Sequence, residues 1–467
     1  MNNGISRDWP NSHVHFVGIG GSGMSGIARI MIARGAKVSG SDLNDSSNLA
    51  GLRNLGINTF VGHDAANVEG ANFVIKSSAI PDSNAELIAA SAAGIPILER
   101  AQALSELMVG YKSVAVAGTH GKTTTTSMLT VALQHCGVDP SFSIGATVRN
   151  SGTNAHQGSG GIFVVEADES DGSFIAYKPF GAIITNIELD HVDNFSDISA
   201  IDQLFAEFVM TIQPGGFLVV CIDDAGVKRL FRTLTVLESR GIELITYGEE
   251  LDADLKLDRI HVAANNASAR ITWKGRILGE MELAITGRHN LFNAAAALAS
   301  GLKLGASVQD LFAGLKLFTG ARRRFEIKGV AGGVTVIDDY GHHPTEITAT
   351  LQTARVFAHS GRVIAVFQPH RYSRTKAFSQ QFADSLSLAD HTFLLEVYPA
   401  SEKPLTGVTS ALIAGKMEKE KVTYEPSMPI VVESVARFAK PGDVIITIGA
   451  GDVNSLGKLI LTAIEEK

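Results

Sequence analysis

Short apolar runs recur along the chain, each followed by glycine or polar residues and then by apolar positions at helical spacing. Residues 13–17 predict a strand with Val14 and Phe16 buried, and Met24, Ile27, Ile30 and Met31 predict the helix after it. Further strands are expected over 37–41, ending at Asp42, over 73–75 and over 95–98, with a helix over 85–93. The pattern restarts with Val114, Val116 and Ala117 and continues as a helix through Met128, Leu129, Ala132 and Leu133. Strands are then expected at 161–165, 182–187 and 216–222, an amphipathic helix at 203–212, short β elements over 244–273, and a helical hairpin ending at Leu317. The alternation resumes with strands at 334–337, 362–367, 392–397 and 444–448. Strand alternating with helix predicts an α/β chain of doubly wound, mostly parallel sheets. Breaks near Met108 and at Thr319-Gly320 divide it into 1–107, 108–319 and 320–467.

At 467 residues the chain exceeds one ordinary core, which suits this division. A net charge of −8 carries no polyanion-binding signature, so no nucleic-acid partner is expected. Cys136 and Cys221 lie in apolar segments and make neither a disulfide framework nor a metal cluster, which points to a reducing cytosol. The opening residues MNNGISRDWPN lack a signal peptide's apolar core, and no apolar run approaches the ~18 residues of a membrane span. A cytoplasmic protein with no membrane partner is expected; oligomeric state is not legible.

The chemistry gathers where predicted strands end. After 113–117 comes Gly118-Thr119-His120-Gly121-Lys122-Thr123-Thr124, a glycine turn opening a helix on Lys-Thr. Its backbone N–H groups suit an anion, the lysine neutralises charge, and the first threonine hydroxyl suits Mg2+. The strict G-x-x-x-x-G-K-[ST] spacing would place glycine at 116, where Val116 stands, so this is a variant cradle. Upstream, Gly18, Gly20, Gly21, Ser22, Gly23 and Met24 form a G-x-G-x-x-G strand-to-helix turn, with Asp42 placed to grip a ribose. NAD is the easy reading, but any nucleotide diphosphate satisfies the same physics. Ser77 and Ser78 follow the strand at 73–75, either touching a ligand or capping a helix.

Glu166, Asp168, Glu169 and Asp171 crowd another strand end and repel one another unless a cation or donors neutralise them. Glu166 is favoured as a metal ligand because it directly follows the buried strand. His191, after Glu188 and Asp190, suits either a metal or phosphate contact or a satisfied core histidine. Asn290 and Asn293 can read a purine edge or act as helix caps. Arg371 and Arg374, three apart, can clamp a carboxylate or phosphate. Of the triplet 322–324, one arginine can reach phosphates and the other two read as surface charge.

Taken together, HFVGIGGSGMSGIA (15–28), GTHGKTTT (118–125), EADESD (166–171), DH (190–191), GRHNLFNAAAA (287–297), RRRFE (322–326), DDYGHHPTE (338–346) and PHRYSRT (369–375) resemble the Mur ligase family. The resemblance implies ATP-dependent amide formation in peptidoglycan synthesis, on three domains. The first would be Rossmann-like and bind a UDP-sugar, the second a P-loop-type ATPase domain, and the third Rossmann-like and bind an amino acid. It implies UDP-N-acetylmuramate and L-alanine as small-molecule substrates, with a murein tripeptide as the rival to the amino acid. Lys122 would contact ATP, helped by the turn at 118–121, Asn290, Asn293 and Arg324. Thr123 and Glu166 would hold one Mg2+ and His191 a second. Tyr340, His342, Arg371 and Arg374 would surround the amino acid and the acyl phosphate, with Lys122, His342, Arg371 and Arg374 catalytic. Sister ligases carry a carbamylated lysine soon after the D-H; no lysine occurs here between Lys178 and Lys228. From another class, an NAD-dependent oxidoreductase would use the first glycine turn but leaves GTHGKTTT unexplained.

Overall fold

The computed structural model describes residues 9–467; residues 1–8, which carry part of the signal-peptide expectation, lie outside them. Among the described residues the strands form three sheets. The first contains β1 (His13–Val17), β2 (Lys37–Asp42), β3 (Asn58–Val61), β4 (Phe73–Lys76) and β5 (Ile97–Glu99), in the order β3-β2-β1-β4-β5 and all parallel.

The second sheet contains β6 (Lys112–Ala117), β7 (Ser141–Val148), β8 (Thr153–His156), β9 (Ile162–Glu166), β10 (Gly181–Ile184), β11 (Phe217–Cys221), β12 (Glu243–Gly248), β13 (Leu255–Val262), β14 (Ala267–Trp273) and β15 (Arg276–Leu283). Its order is β15-β14-β13-β12-β11-β10-β6-β9-β7-β8, with an antiparallel meander at one edge and the β7–β8 hairpin at the other. The third contains β16 (Glu326–Ala331), β17 (Val334–Asp339), β18 (Val363–Phe367), β19 (His391–Leu394), β20 (Val422–Tyr424) and β21 (Val444–Ile448), in the order β16-β17-β21-β18-β19-β20.

β6 shows why the second sheet sits where it does. Val114 and Val116 pack with the helices Lys122–His135 and Arg288–Lys303, while Ala115 and Ala117 pack with the opposite core. A strand apolar on both faces must lie inside a sheet covered on both sides. The chain leaves β6 through the helix Lys122–His135 towards β7 on one side, and leaves the neighbouring β10 through the helix Ile198–Met210 towards β11 on the other, so the carboxyl ends of β6 and β10 flank a topological switch point, where open α/β sheets leave a crevice. The core under that second face continues into the first unit through Ala101, Leu104 and Leu107 of the helix Arg100–Met108. Arg34 reinforces the junction, donating to Gln157 Oε1 at 2.7 Å and to the Leu107 carbonyl at 2.8 Å.

The strand expected over 182–187 stops at Ile184. Thr185 and Asn186 leave the sheet because their side chains serve the glycine turn: Thr185 Oγ1 donates to the His120 carbonyl at 2.5 Å, and Asn186 Oδ1 accepts from the His120 N–H at 2.8 Å. In the third sheet Asp338 and Asp339, expected just beyond a strand, are its last residues. Asp338 is fixed by Thr447 Oγ1 and Asp339 by the Phe325 and Gly341 N–H groups. Among the described residues no helix is long and apolar enough to cross a membrane.

Candidate active site

Gly118 and Gly121 make the turn after β6 possible. Gly118 has φ +129°, and a Cβ there would lie 2.1 Å from Thr185 Oγ1; Gly121, at φ +82°, would meet Asn293 Oδ1 at 2.6 Å. The helix Lys122–His135 starts at once, so its first N–H groups face the turn. Lys122 folds back over it, donating to the carbonyls of Gly118 at 2.7 Å and Thr119 at 3.1 Å and pairing with Glu169 at 2.8 Å. Burial works against the ammonium charge, but Glu169 and Asp168 outweigh it and raise the lysine's pKa. Thr123 Oγ1 donates to Glu166 Oε1 at 2.7 Å, and Glu166 Oε2 accepts from the Gly145 N–H at 2.6 Å. His191, at φ +50°, brings Nε2 to 3.5 Å from Glu169 Oε1.

A cleft of about 850 Å³ opens from this turn, lined by residues from all three units, among them Ser22, Lys122, Glu166, His191, Tyr340 and Arg371. The third unit reaches into it through its own strand ends. Arg374, 3% exposed, donates through Nε to Asp190 Oδ1 at 2.8 Å and lies 3.1 Å from His370 Nδ1. Arg371 pairs with Asp193. The two arginines therefore engage acids of the central unit on the same loop as His191. Burial opposes the Asp190 charge, but Arg374 and the surrounding histidines hold its carboxyl far below the usual range.

Tyr340 lies against two cations, with the Arg323 and Arg324 guanidinium carbons 4.8 and 5.2 Å from its ring centre. Arg323 is not surface charge, as the triplet suggested. Its guanidinium donates to the Gly449 carbonyl at 2.6 Å and pairs with Asp338, tying the hinge to the third sheet. Arg322 also lines the cleft. His342 places Nδ1 3.1 Å from the Tyr340 carbonyl and 3.4 Å from Glu346 Oε2. Both neighbours accept, which favours a proton on Nδ1, while Nε2 faces Asp190 Oδ2 at 4.0 Å. Burial pushes the His342 imidazole down to about 4, so it is neutral at pH 7.

A second cavity of about 670 Å³ adjoins the first across Gly121, Arg324 and Glu346. It is lined by Asn290, Asn293, Phe292, Phe318, Phe325 and Tyr247, among others. Neither asparagine is the cap of its helix, which is Gly287. Asn290 Nδ2 donates to the Thr286 carbonyl, and Asn293 Oδ1 accepts from Thr125.

The first unit's glycine turn lies at the end of β1. Gly20 N–H donates to Asp42 Oδ2 at 2.9 Å, and Asn154 of the central unit donates to the Ser22 carbonyl at 2.8 Å. Of the residues expected to hold a nucleotide here, Ser22 reaches the large cleft, joined by Arg29 and Asn48. Met24 is buried, with its side chain packed beside Gly21 of the turn. Ser77 Oγ accepts from the Ala79 N–H within its own turn, and Gly18 packs beside the Ser77 side chain.

Sequence reasoning missed Glu346. Its carboxylate accepts from the His342 N–H at 3.0 Å, lies 3.6 Å from His120 and 3.4 Å from Arg324, and so joins the turn of one unit to the third. Burial opposes its charge, but His342, His120 and Arg324 hold its carboxyl well below the usual range. A signal was present: Glu346 stands three residues after His343, the spacing of a capping box, ahead of an apolar helix. Glu169 was visible in the acidic cluster but not as the partner of Lys122, a pairing that needs the two strand ends side by side.

Family models match nearly end to end: "Mur ligase family, catalytic domain" over 13–112, "Mur ligase middle domain" over 116–301 and "Mur ligase, glutamate ligase domain" over 323–451. A UDP-N-acetylmuramate–L-alanine ligase of Saccharopolyspora erythraea is 48% identical, covering 97% of this chain and 94% of the relative. The enzyme of the same name from Acidothermus cellulolyticus is 46% identical, with coverages of 97% and 95%. Among solved structures, the UDP-N-acetylmuramate–alanine ligase of Thermotoga maritima superposes with a TM-score of 0.81 at 28% identity, over 97% of this chain and 99% of that one. A murein peptide ligase of Psychrobacter arcticus follows at a TM-score of 0.72 and 25% identity, with coverages of 98% and 99%.

Proposed function

This chain belongs to the Mur ligase family, and from that premise we propose that it joins L-alanine to the lactyl carboxylate of UDP-N-acetylmuramate, using ATP, in peptidoglycan precursor synthesis. The observation that carries the reading is near-full-length identity of 44–48% to curated relatives named as that ligase. We assign the jobs to three units: 1–107 for the UDP-sugar, 108–319 for ATP and 320–467 for the amino acid. The work would be cytoplasmic.

A carboxylate does not react with an amine at neutral pH. Transfer of the ATP γ-phosphoryl group to a carboxylate oxygen makes an acyl phosphate; the amine attacks its carbonyl, and phosphate leaves. Both steps build negative charge on oxygen, so stabilisation is electrostatic. Lys122 supplies charge at the turn, and Arg371 and Arg374 supply it from the third unit. We place the adenosine half of ATP in the second cavity, beside Asn290 and Asn293, with Arg324 at the junction facing the phosphates.

The donors around Thr123 Oγ1 and Glu166 are oxygens, the set a hard cation prefers, and they already lie 2.7 Å apart. They fit Mg2+, and His191 beside Glu169 fits a second ion. Bound there, Mg2+ would neutralise charge on the phosphate oxygens. His342, held near 4 and so neutral at pH 7, is our candidate to orient the incoming amine by accepting an N–H hydrogen bond, being too weak a base to take its proton. Water must be kept from the acyl phosphate, which the arginine contacts to Asp190 and Asp193 favour by holding the third unit against the central one.

The test is phosphate release over a substrate panel. Release requiring UDP-N-acetylmuramate and L-alanine together is expected. Release with the murein tripeptide but not with L-alanine would transfer the assignment to the peptide ligase, the reading that the Psychrobacter likeness favours. An NAD-dependent oxidoreductase predicts NAD binding at the first glycine turn; a titration without binding dismisses it.

A further inference from the structure

Beside the oxygen-rich Mg2+ position lies a cluster of different chemistry. His120 of the central turn, Glu188 from the loop after β10 and His343 of the third unit bring one donor atom each within 4.8 Å of one another. His120 Nε2 lies 3.5 Å from Glu188 Oε2, and His343 Nδ1 lies 3.6 Å from the same oxygen. Two ligands at the ~2.0–2.1 Å of Zn–N and Zn–O bonds, set at a tetrahedral angle, stand about 3.4 Å apart. Both spacings to Glu188 match that separation within a few tenths of an ångström.

The outer contacts point the same way. His120 Nδ1, the ring's other nitrogen, faces Glu346 Oε1 at 3.6 Å. His343 Nε2, likewise the far nitrogen, faces the Leu189 carbonyl at 3.2 Å. Glu188 Oε2 accepts from Thr345 Oγ1 at 2.6 Å. Carboxylates and carbonyls behind imidazoles fix the ring orientation and tautomer in metal sites. His120 Nε2 is buried without a hydrogen-bond partner, so a polar atom aimed into the cluster stands unsatisfied. His343 Nδ1 caps the helix Pro344–Ala358, and its 3.4 Å contact from the Thr345 N–H is long enough for a bound ion to displace.

We propose that His120, Glu188 and His343 form a binding site for a borderline-soft divalent ion of the Zn2+ class, which clasps the third unit onto the phosphate-binding turn. Two imidazoles and one carboxylate select such an ion over Mg2+, which prefers an all-oxygen, octahedral set. Two of the ligands belong to the central unit and one to the third, so a bound ion opposes their separation and slows turnover. The site is distinct from Thr123, Glu166 and His191 and does not rest on the ligase assignment.

Co2+ is the probe, titrated into the full chain with Mg2+ in excess to fill the oxygen sites. One ion per chain with the visible absorption of a nitrogen-ligated site is expected, displaced by Zn2+, and Zn2+ should lower phosphate release. His343→Gln should abolish the band at Co2+ concentrations that saturate the parent, while Glu166→Gln keeps it. Thr345→Val, which removes a support without removing a ligand, should weaken binding about 10-fold. It tests the site if His343→Gln fails to fold. No band with the parent protein, a band that survives in folded His343→Gln, unchanged binding in Thr345→Val, or a band lost in Glu166→Gln would each overturn the proposal.

Discussion

The chain builds the same device twice. At Gly18 to Gly23 and again at Gly118 to Gly121, a buried parallel strand runs through a glycine turn into a helix whose first N–H groups face the turn. The surroundings differ. The first turn has no lysine, and its nearest acid, Asp42, is already bound to the Gly20 N–H. The second has Lys122 held by Glu169, Thr123 held by Glu166, and the third unit's Glu346 3.6 Å from His120. A backbone cradle alone can hold an anion. Moving a phosphoryl group needs a cation that follows developing charge; the second cradle carries one on the turn itself, Lys122, whereas the first has arginines only from outside its turn, Arg100 against Gly23 and Arg29 in the cleft.

Lys122→Ala should separate the two cradles most sharply. Phosphate release should fall by about 10²–10³, while calorimetric binding of the UDP-sugar keeps its affinity. Full activity in the variant would break the division of labour. Next comes Glu166→Gln, which should leave the fold intact and move the Mg2+ activation curve to higher concentration, with no effect on UDP-sugar binding.

A paired alanine substitution comes third. Gly121→Ala forces a side chain into a left-handed position against Asn293 and should cost at least about 1 kcal/mol in denaturant melts. Gly21→Ala, at φ −62° with 3.7 Å of clearance, should stay within about 0.5 kcal/mol. Equal losses would mean that the two turns are equally strained.

The smallest difference is in pH. Burial would lower the His120 pKa, but in the metal-free protein Glu188 and Glu346 raise it from 6.5 to about 9, so an ion bound at Nε2 has to displace its proton. A raised folded pKa gives stability that is complete below about pH 6.5 and lost as pH climbs through about 9. The first unit's buried acid, Glu86, runs the other way. Burial opposes its charge, but the nearby His15 ring and hydrogen bonds from Ser41 and Asn67 hold it at about 2. Its contribution is present above about pH 4.5 and lost as pH falls towards 2. The few-degree melting gap between parent and His120→Gln should therefore close between pH 7 and 10. The gap for Glu86→Gln should persist over that range and close in acid.

The apolar runs and glycine punctuation gave the α/β class, the alternation and most of the strands. They missed β3, β15, β16, β20 and the β7–β8 hairpin, because edge strands such as 153–156 carry little hydrophobic signal. The site was legible where chemistry is local. Gly-Lys-Thr, the acids after β9 and the D-H are contiguous, and their residue types declare anion and metal binding.

What the sequence determined by itself is the set of local elements and the chemistry at their ends, because strand period, turn glycines and helix starts depend on near neighbours. Only the tertiary structure decided which ends meet. It turned Arg371 and Arg374 onto Asp193 and Asp190, made Arg323 a tether, paired Lys122 with Glu169 and set Glu346 beside His120. These partners lie tens to hundreds of residues apart. Their attraction acts only once the sheets have packed and water has been excluded, so no local pattern could announce it.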